Sequence, residues 1–173
     1  MITFALSHPA VEVNKQPLTA QPLNLVALLS VAHHPKAGAV VLFSGEVRDN
    51  SLGKQVDYLE YEAYPAMATK MINDIVNEAI TRWGLTFAIA QHRTGIVNSG
   101  ESAVVVITTS AHRTEAYAAN RYIIDRIKHE APIWKCEYFT DGTKEWGGNC
   151  NCQKQTGNAN KHIYEFDTIK SLK

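Results

Sequence analysis

Strand-like and helix-like segments alternate along this chain as far as about residue 146, and this alternation restricts the fold more than any other feature of the sequence. Short apolar runs of strand length, separated by amphipathic runs of helix length, are typical of domains that contain both sheets and helices. No repeat or low-complexity tract interrupts the pattern. The sequence therefore predicts an α/β or α+β architecture.

Periodicity and turn residues place the elements in a definite order. Gly84 is expected to cap the second helix and Pro132 to end the third. Polar loop residues surround Arg48 in the segment 45–54, while 98–101 and Asp141-Gly142 have turn chemistry. Strands are predicted at 2–6, 10–13, 39–43, 56–63, 85–91, 103–109 and 133–139, and helices at 22–33, 65–83 and 114–130.

The length of 173 residues suits one domain with a sizeable core and is too short for two full domains. From residue 147 onward Asn, Gln, Gly and Lys predominate and little periodicity is left. We therefore expect a single domain over residues 1–146, followed by a divergent, mobile or partner-dependent tail over 147–173.

Charge and hydropathy exclude several classes of protein. Seventeen Lys and Arg residues balance seventeen Asp and Glu residues, so the net charge provides no attraction to nucleic acid or to anionic membranes. Apolar runs such as 25–29 and 39–43 are far shorter than the roughly 20 residues of a membrane-spanning helix. The first residues lack the basic segment of a secretory signal. We expect a cytoplasmic protein that binds neither nucleic acid nor membrane.

Three cysteines, Cys136, Cys150 and Cys152, are too few and too clustered for a disulfide framework. With His162 they supply zinc-type ligands, but their spacing is not that of a common structural zinc site. Glycine-rich nucleotide loops, the serine-hydrolase elbow and the His-Glu-x-x-His motif are also missing. No metal or other cofactor is expected, although a metal- or redox-responsive module using the cysteines stays open as an alternative.

Cationic side chains occur at the ends of predicted elements, where functional groups are usually mounted. They are Arg48, His112, Arg113, Lys128 and Lys135. Because His112 and Arg113 precede a helix, their donors lie beside its free backbone N–H groups and the positive end of its dipole. This pattern predicts a pocket for a phosphate or a carboxylate. The alternative is that Arg113 and Lys128 are solvated surface charges and that His112 only begins the helix.

Two-residue alternation in the strand 133–139 puts Lys135 and Glu137 on one face and Cys136, expected to be buried, on the other. A partly desolvated lysine near other cations can lose its proton and act as a base or a nucleophile. Lys128 and Lys135 could form such a pair. An ordinary Lys135–Glu137 ion pair on an exposed strand face is the alternative.

Five short motifs follow one another along the chain: FSGEVR at 43–48, LEYEAY at 59–64, HRTG at 92–95, SAHR at 110–113 and KHEAPIWK at 128–135. Each motif alone recurs by chance. Five in this order and at this spacing resemble the large, catalytic subunit family of molybdopterin synthase, the enzyme of molybdenum cofactor biosynthesis. The resemblance spans about residues 22–146.

The resemblance implies a cyclic pyranopterin monophosphate as substrate and molybdopterin, with two new sulfurs in a dithiolene, as product. It implies that sulfur arrives as the C-terminal Gly-Gly thiocarboxylate of a small ubiquitin-like subunit, whose tail enters a pocket of the large subunit. The implied fold is α+β, an α/β-hammerhead-type domain with an additional antiparallel sheet. The implied assembly is a homodimer that carries one small subunit at each end, and is thus a heterotetramer.

The same resemblance implies roles for individual residues. Lys128 and Lys135 resemble the two essential lysines of the family and are the expected catalytic residues. We expect Lys135 to contact the substrate or the thiocarboxylate carbonyl, and Lys128 to act as acid or base or to form a transient adduct. Other residues are expected to bind the substrate anion or to flank the same pocket: Arg48, His112 and Arg113, and Glu46, Val47, Cys136 and Glu137. A non-catalytic anion-binding or scaffold subunit of the same fold is the alternative.

Overall fold

The computed structural model describes residues 16–147, which form three helices and nine strands. No helix in this part of the chain is long and apolar enough to cross a membrane. The strands predicted at 2–6 and 10–13, and the tail beyond Gly147, lie outside the described residues. The helices are α1 (Leu25–Ser30), α2 (Pro65–Trp83) and α3 (Arg113–Glu130); the strands are β1 (Leu18–Thr19), β2 (Ala39–Glu46), β3 (Asn50–Ser51), β4 (Lys54–Ala63), β5 (Phe87–Arg93), β6 (Gly95–Asn98), β7 (Ser102–Ser110), β8 (Ile133–Phe139) and β9 (Lys144–Gly147).

The first sheet has the strand order β1-β5-β7-β2 and is covered by helices on both faces. All of its neighbouring strands are antiparallel except β1, which runs parallel to β5. Successive side chains along a strand point to opposite faces. Ala90 and Val106 therefore pack against α2 and α3, whereas Ile89, Val105 and Ile107 pack beneath α1. Burial on both faces explains the continuous apolar runs in these strands.

Local signals in the sequence set the ends of the two long helices. Pro65 occupies the first turn of α2, and Gly84 ends it in the left-handed conformation with φ of 58°, as predicted. The extended residue Ala131, which precedes a proline, ends α3. Asn120, buried on α3, donates from its amide to the carbonyls of Val41 and Val106 at 3.1 and 3.0 Å. These bonds fix α3 on the first sheet and thereby place the C-terminal end of α3, with Lys128.

The second sheet is entirely antiparallel, with the order β3-β4-β8-β9, and β6 also pairs with β4. In the register of β4 and β8, Tyr61 lies opposite Lys135 and Leu59 lies opposite Glu137. A separate apolar cluster supports this sheet: Val47, Val56, Leu59, Val97, Ala103 and Phe139. The pairing brings the polar residues of β8 to the space between the two sheets.

The structure differs from the sequence prediction in its short strands. β1, β3, β6 and β9 have only two to four residues each, which is too short for a periodic signal. The predicted strands 85–91 and 103–109 do pair, as β5 and β7. The chain between them does not form a direct hairpin, because it first adds β6 to β4 of the second sheet. The predicted turn at 98–101 joins β6 to β7.

Candidate active site

A cleft of about 600 Å³ opens between the two sheets, and we call it the inter-sheet cleft. Its walls come from the end of β2 with the following loop, from β3, from the middle of β4, from β5 and β7, from the last turn of α3, and from β8 with β9. Six charged side chains line it: Glu46, Arg48, Lys128, Lys135, Glu137 and Glu145. Both predicted catalytic lysines thus lie in one cleft.

Lys135 and Glu137 point into the inter-sheet cleft from the same face of β8, as the alternation predicted. The Lys135 Nζ donates to Glu137 Oε1 at 2.6 Å, so the ion pair considered as an alternative is present. It is not on an exposed face, because the Glu137 side chain is only 12% exposed. Burial raises the pKa of Glu137, but hydrogen bonds from Lys135 and Ser51 and the charges of Lys135 and Arg48 outweigh burial, so that the pKa is lowered. Glu137 is therefore an anion beside Lys135 at neutral pH.

Arg48 and Lys128 line other walls of the inter-sheet cleft. Arg48 follows β2 in an exposed loop, and a register shift between Gly45 and Glu46 ends the regular pairing of β2 just before it. Lys128 lies in the last turn of α3, where the negative end of the helix dipole favours a cation. Within residues 16–147 neither side chain forms an ion pair. Both charges can therefore neutralise an anion that enters the cleft.

His92 and Tyr61 also line the inter-sheet cleft, although neither was among the residues predicted for the pocket. The rings meet edge to face with centroids 5.0 Å apart. Burial lowers the pKa of His92 to about 4, a hydrogen bond to Arg93 opposes the shift, and the charge of Lys128 adds to it. Burial and the charge of Glu137 raise the pKa of Tyr61 to about 12. Both groups are neutral at pH 7. The sequence signal for His92 was its place in the HRTG motif at the end of a buried strand.

Four of the residues predicted for the pocket do not line the inter-sheet cleft in this chain. Val47 is 3% exposed and packs in the apolar cluster of the second sheet, because the chain alternates faces between Glu46 and Arg48. Cys136 is fully buried on the face of β8 away from the cleft, and burial raises the pKa of its thiol. His112 and Arg113 lie at the N-terminal end of α3, about 22 Å along the helix from Lys128.

No group of three or more His, Cys, Asp or Glu side chains within residues 16–147 could hold a metal ion. Cys136 is the one cysteine among these residues and carries a free thiol. Cys150, Cys152 and His162, the other residues of the metal-site alternative, lie outside the described part of the chain.

Gly147 gives Lys135 room to extend across β9. The two residues are opposite each other in the register of β8 and β9, and a Cβ at position 147 would come within 2.8 Å of Lys135 Cε. We expect Gly147→Ala to displace the lysine and to lower the rate of a reaction that depends on it by about tenfold, with little change in Tm. Kinetics and thermal unfolding check this together. Lys144→Ala, on the same strand, is the control and should keep the wild-type rate; an unchanged rate for Gly147→Ala would contradict the expectation.

The fold and the inter-sheet cleft together define a mixed α/β domain with a large polar cleft, into which Arg48, Lys128 and Lys135 bring positive charge. Comparison with known proteins identifies the family. The model of the MoaE protein family matches residues 18–130, so the chain belongs to this family. The molybdopterin synthase catalytic subunit of Thermoplasma volcanium is 41% identical over 129 residues, which cover 75% of this chain and 94% of that protein. The resemblance found in the motifs is confirmed.

Solved structures share the fold. The crystal structure of molybdopterin synthase from Staphylococcus aureus matches with a TM-score of 0.73 and 36% identity, over 78% of this chain and 97% of that chain. A chain in the complex of subunits 1 and 2 of molybdopterin-converting factor from Helicobacter pylori matches with a TM-score of 0.64 and 22% identity, over 76% and 89% of the two chains. At 22% identity the second match shows the common fold alone.

Proposed function

We propose that this chain is the catalytic subunit of a molybdopterin synthase. It transfers sulfur from the C-terminal thiocarboxylate of a small ubiquitin-like subunit to cyclic pyranopterin monophosphate and so forms the molybdopterin dithiolene. The observation that carries the proposal is the convergence of Lys128, Lys135 and Arg48 on the inter-sheet cleft of a chain that belongs to the MoaE family. The volume of about 600 Å³ suits a ligand of this size.

Arg48 binds the substrate phosphate in this proposal, and Glu46 flanks it at the rim of the cleft. A planar guanidinium makes paired hydrogen bonds to phosphate. We expect Arg48→Ala to raise the Kd for cyclic pyranopterin monophosphate about tenfold to hundredfold, since hydrogen bonds to charged groups contribute about 1.5–3 kcal/mol. Isothermal titration calorimetry measures this Kd. Arg121→Ala removes an exposed arginine of α3 as a control, and equal affinities of the two variants would remove Arg48 from the phosphate site.

Lys128 and Lys135 handle protons during transfer. The thiocarboxylate sulfur attacks a substrate carbon, an oxygen leaves that carbon, and an ammonium group can give the leaving oxygen its proton. Water then cleaves the bond between the sulfur and the acyl carbon, so that the sulfur stays on the substrate and the small subunit is released with a C-terminal carboxylate. Lys135 contacts the substrate or the carbonyl of the incoming thiocarboxylate, while Lys128 acts as acid or base or forms a transient adduct. The carboxylate of Glu137, 2.6 Å from Lys135 Nζ, keeps that ammonium oriented in the cleft.

In the proposed assembly, a second copy of the chain brings His112 and Arg113 to the inter-sheet cleft. The active form is a homodimer with one small subunit at each end, a cytoplasmic heterotetramer in which residues 1–146 form one domain of α/β-hammerhead type and 147–173 a divergent tail. His112 and Arg113 lie too far along α3 to reach the cleft of their own chain, so they bind the substrate anion only where a second copy brings them there. Val47 and Cys136 serve as packing residues of the walls.

The proposal is tested by reconstitution. The purified chain is incubated under reducing conditions with a thiocarboxylated small subunit and cyclic pyranopterin monophosphate, and the dithiolene product is quantified by mass spectrometry. Dithiolene formation that needs all three components supports the proposal. Absence of product from a folded chain that binds both components would overturn it and favour the non-catalytic scaffold.

A further inference from the structure

Of the two nitrogens in the buried ring of His92, Nδ1 forms a hydrogen bond within the described part of the chain and Nε2 does not. His92 is 7% exposed, lies in β5 opposite Val104, and still lines the inter-sheet cleft. Its Nδ1 lies 2.7 Å from the carbonyl oxygen of Arg93. A carbonyl oxygen only accepts hydrogen bonds, so Nδ1 carries the proton and Nε2 keeps its lone pair. The backbone thus selects the tautomer that leaves Nε2 as an acceptor.

The lone pair of Nε2 is open to a donor that turns toward it. Within residues 16–147 no hydrogen bond to Nε2 forms, and the neighbouring Tyr61 ring makes an edge contact. Lys128 lines the same cleft from the last turn of α3, and its charge acts on the His92 ring. A buried neutral imidazole can accept a hydrogen bond from one of the three N–H groups of a nearby ammonium. A protonated imidazole would instead repel the ammonium.

We propose that His92 is a positioning residue whose Nε2 accepts a hydrogen bond from the ammonium of Lys128 when the exposed lysine side chain turns toward the ring, and so holds that group in the inter-sheet cleft. One N–H of Lys128 is then fixed by the protein, and the other two face the substrate. This inference rests on the proposed catalytic role of Lys128. It gives a role to the lone pair that the Arg93 carbonyl leaves free on this buried ring.

Three substitutions separate positioning from packing. His92→Gln places an amide oxygen near the position of Nε2, His92→Asn places its amide near the position of Nδ1, and His92→Phe keeps a ring without acceptors. In single-turnover sulfur transfer we expect the Asn and Phe variants to lose about tenfold to hundredfold in rate, and the Gln variant to recover most of it. Thermal unfolding verifies that the variants are folded. His129→Gln removes an exposed histidine next to Lys128 and should keep the wild-type rate.

A spectroscopic measurement tests the inference without any turnover. Nitrogen-15 NMR of histidine-labelled protein reports which ring nitrogen carries the proton, and the His92 signals are assigned from the His92→Gln variant. The inference predicts a protonated Nδ1, and an Nε2 shift that changes when Lys128→Ala removes the donor but not when Lys70→Ala does.

The outcomes distinguish this inference from the proposed function. If the wild-type chain makes no dithiolene, the proposed function fails, and the NMR shifts still decide whether Lys128 bonds His92. If the wild type is active but His92→Gln is no better than His92→Phe, or if Nε2 does not respond to Lys128→Ala, the positioning role is overturned.

Discussion

Replacing Lys135 by alanine is expected to lower the single-turnover rate of sulfur transfer by about 10²–10⁴-fold, the range that a positioned proton donor or acceptor contributes. Lys135 lies in the inter-sheet cleft beside Glu137 and is 34% exposed, so an incoming substrate can reach its ammonium. Lys135→Arg keeps the charge but cannot release a proton at neutral pH. We expect it to keep substrate binding and to lose most of the rate. Rapid quenching with product analysis, repeated over a range of substrate concentrations, measures the rate and the substrate binding of each variant.

The matched control is Lys70→Ala. Lys70 is 76% exposed on α2 and pairs with Asp74 one turn away, an arrangement that contributes little to stability or function. Its removal should leave the rate unchanged. A Lys135→Ala variant that is as fast as Lys70→Ala would take Lys135 out of the reaction.

Replacing Arg93 by methionine is expected to lower the free energy of unfolding by about 3 kcal/mol, which corresponds to a fall in Tm of roughly 6–12 °C. Arg93 is 5% exposed and donates to Glu101 Oε2 at 2.9 Å and to the Ile96 carbonyl at 3.0 Å. These bonds fasten the end of β5 in the first sheet to the segment that adds β6 to the second. The substitution removes both bonds while it keeps most of the apolar volume.

Glu101→Gln provides the comparison for this prediction. The Arg93 guanidinium holds the pKa of Glu101 below its usual range, so the pair is charged at neutral pH. An amide at position 101 still accepts from Arg93, and we expect a loss of only about 1 kcal/mol. Urea unfolding of both variants gives the two values. A loss below about 0.5 kcal/mol for Arg93→Met would show that another contact holds the two sheets together.

Much of the fold could be predicted from periodicity and terminators. α2 begins at Pro65 and ends at Gly84 as predicted, and β8 spans 133–139 as predicted. The helix expected at 22–33 is shorter, Leu25–Ser30, because Asn24 accepts a hydrogen bond from the Ala27 N–H and caps it there. β6 and β9 could not be predicted, because their conformation is set by pairing with β4 and β8 rather than by their own side chains.

The candidate site could be predicted in part. Two-residue alternation correctly placed Lys135 and Glu137 on one face of a strand, and the helix end correctly placed Lys128. The prediction that Val47 flanks the pocket relied on its being next to Arg48 in the sequence. It was wrong, because the side chain of Val47 points into the core. His92 could not be predicted from charge, since burial keeps it neutral, and only the three-dimensional fold brings the end of β5 and the last turn of α3 to the same cleft.

The measurement that most directly tests the central claim, that Lys128 and Lys135 act together on one substrate in the inter-sheet cleft, is a double-mutant cycle in single-turnover sulfur transfer. Rates are compared for wild type, Lys128→Ala, Lys135→Ala and the double variant. Residues that act as a unit are strongly non-additive, so we predict that the double variant is no more than about tenfold slower than the slower single variant. Losses that multiply fully, or a double variant that keeps the wild-type rate, would contradict the claim.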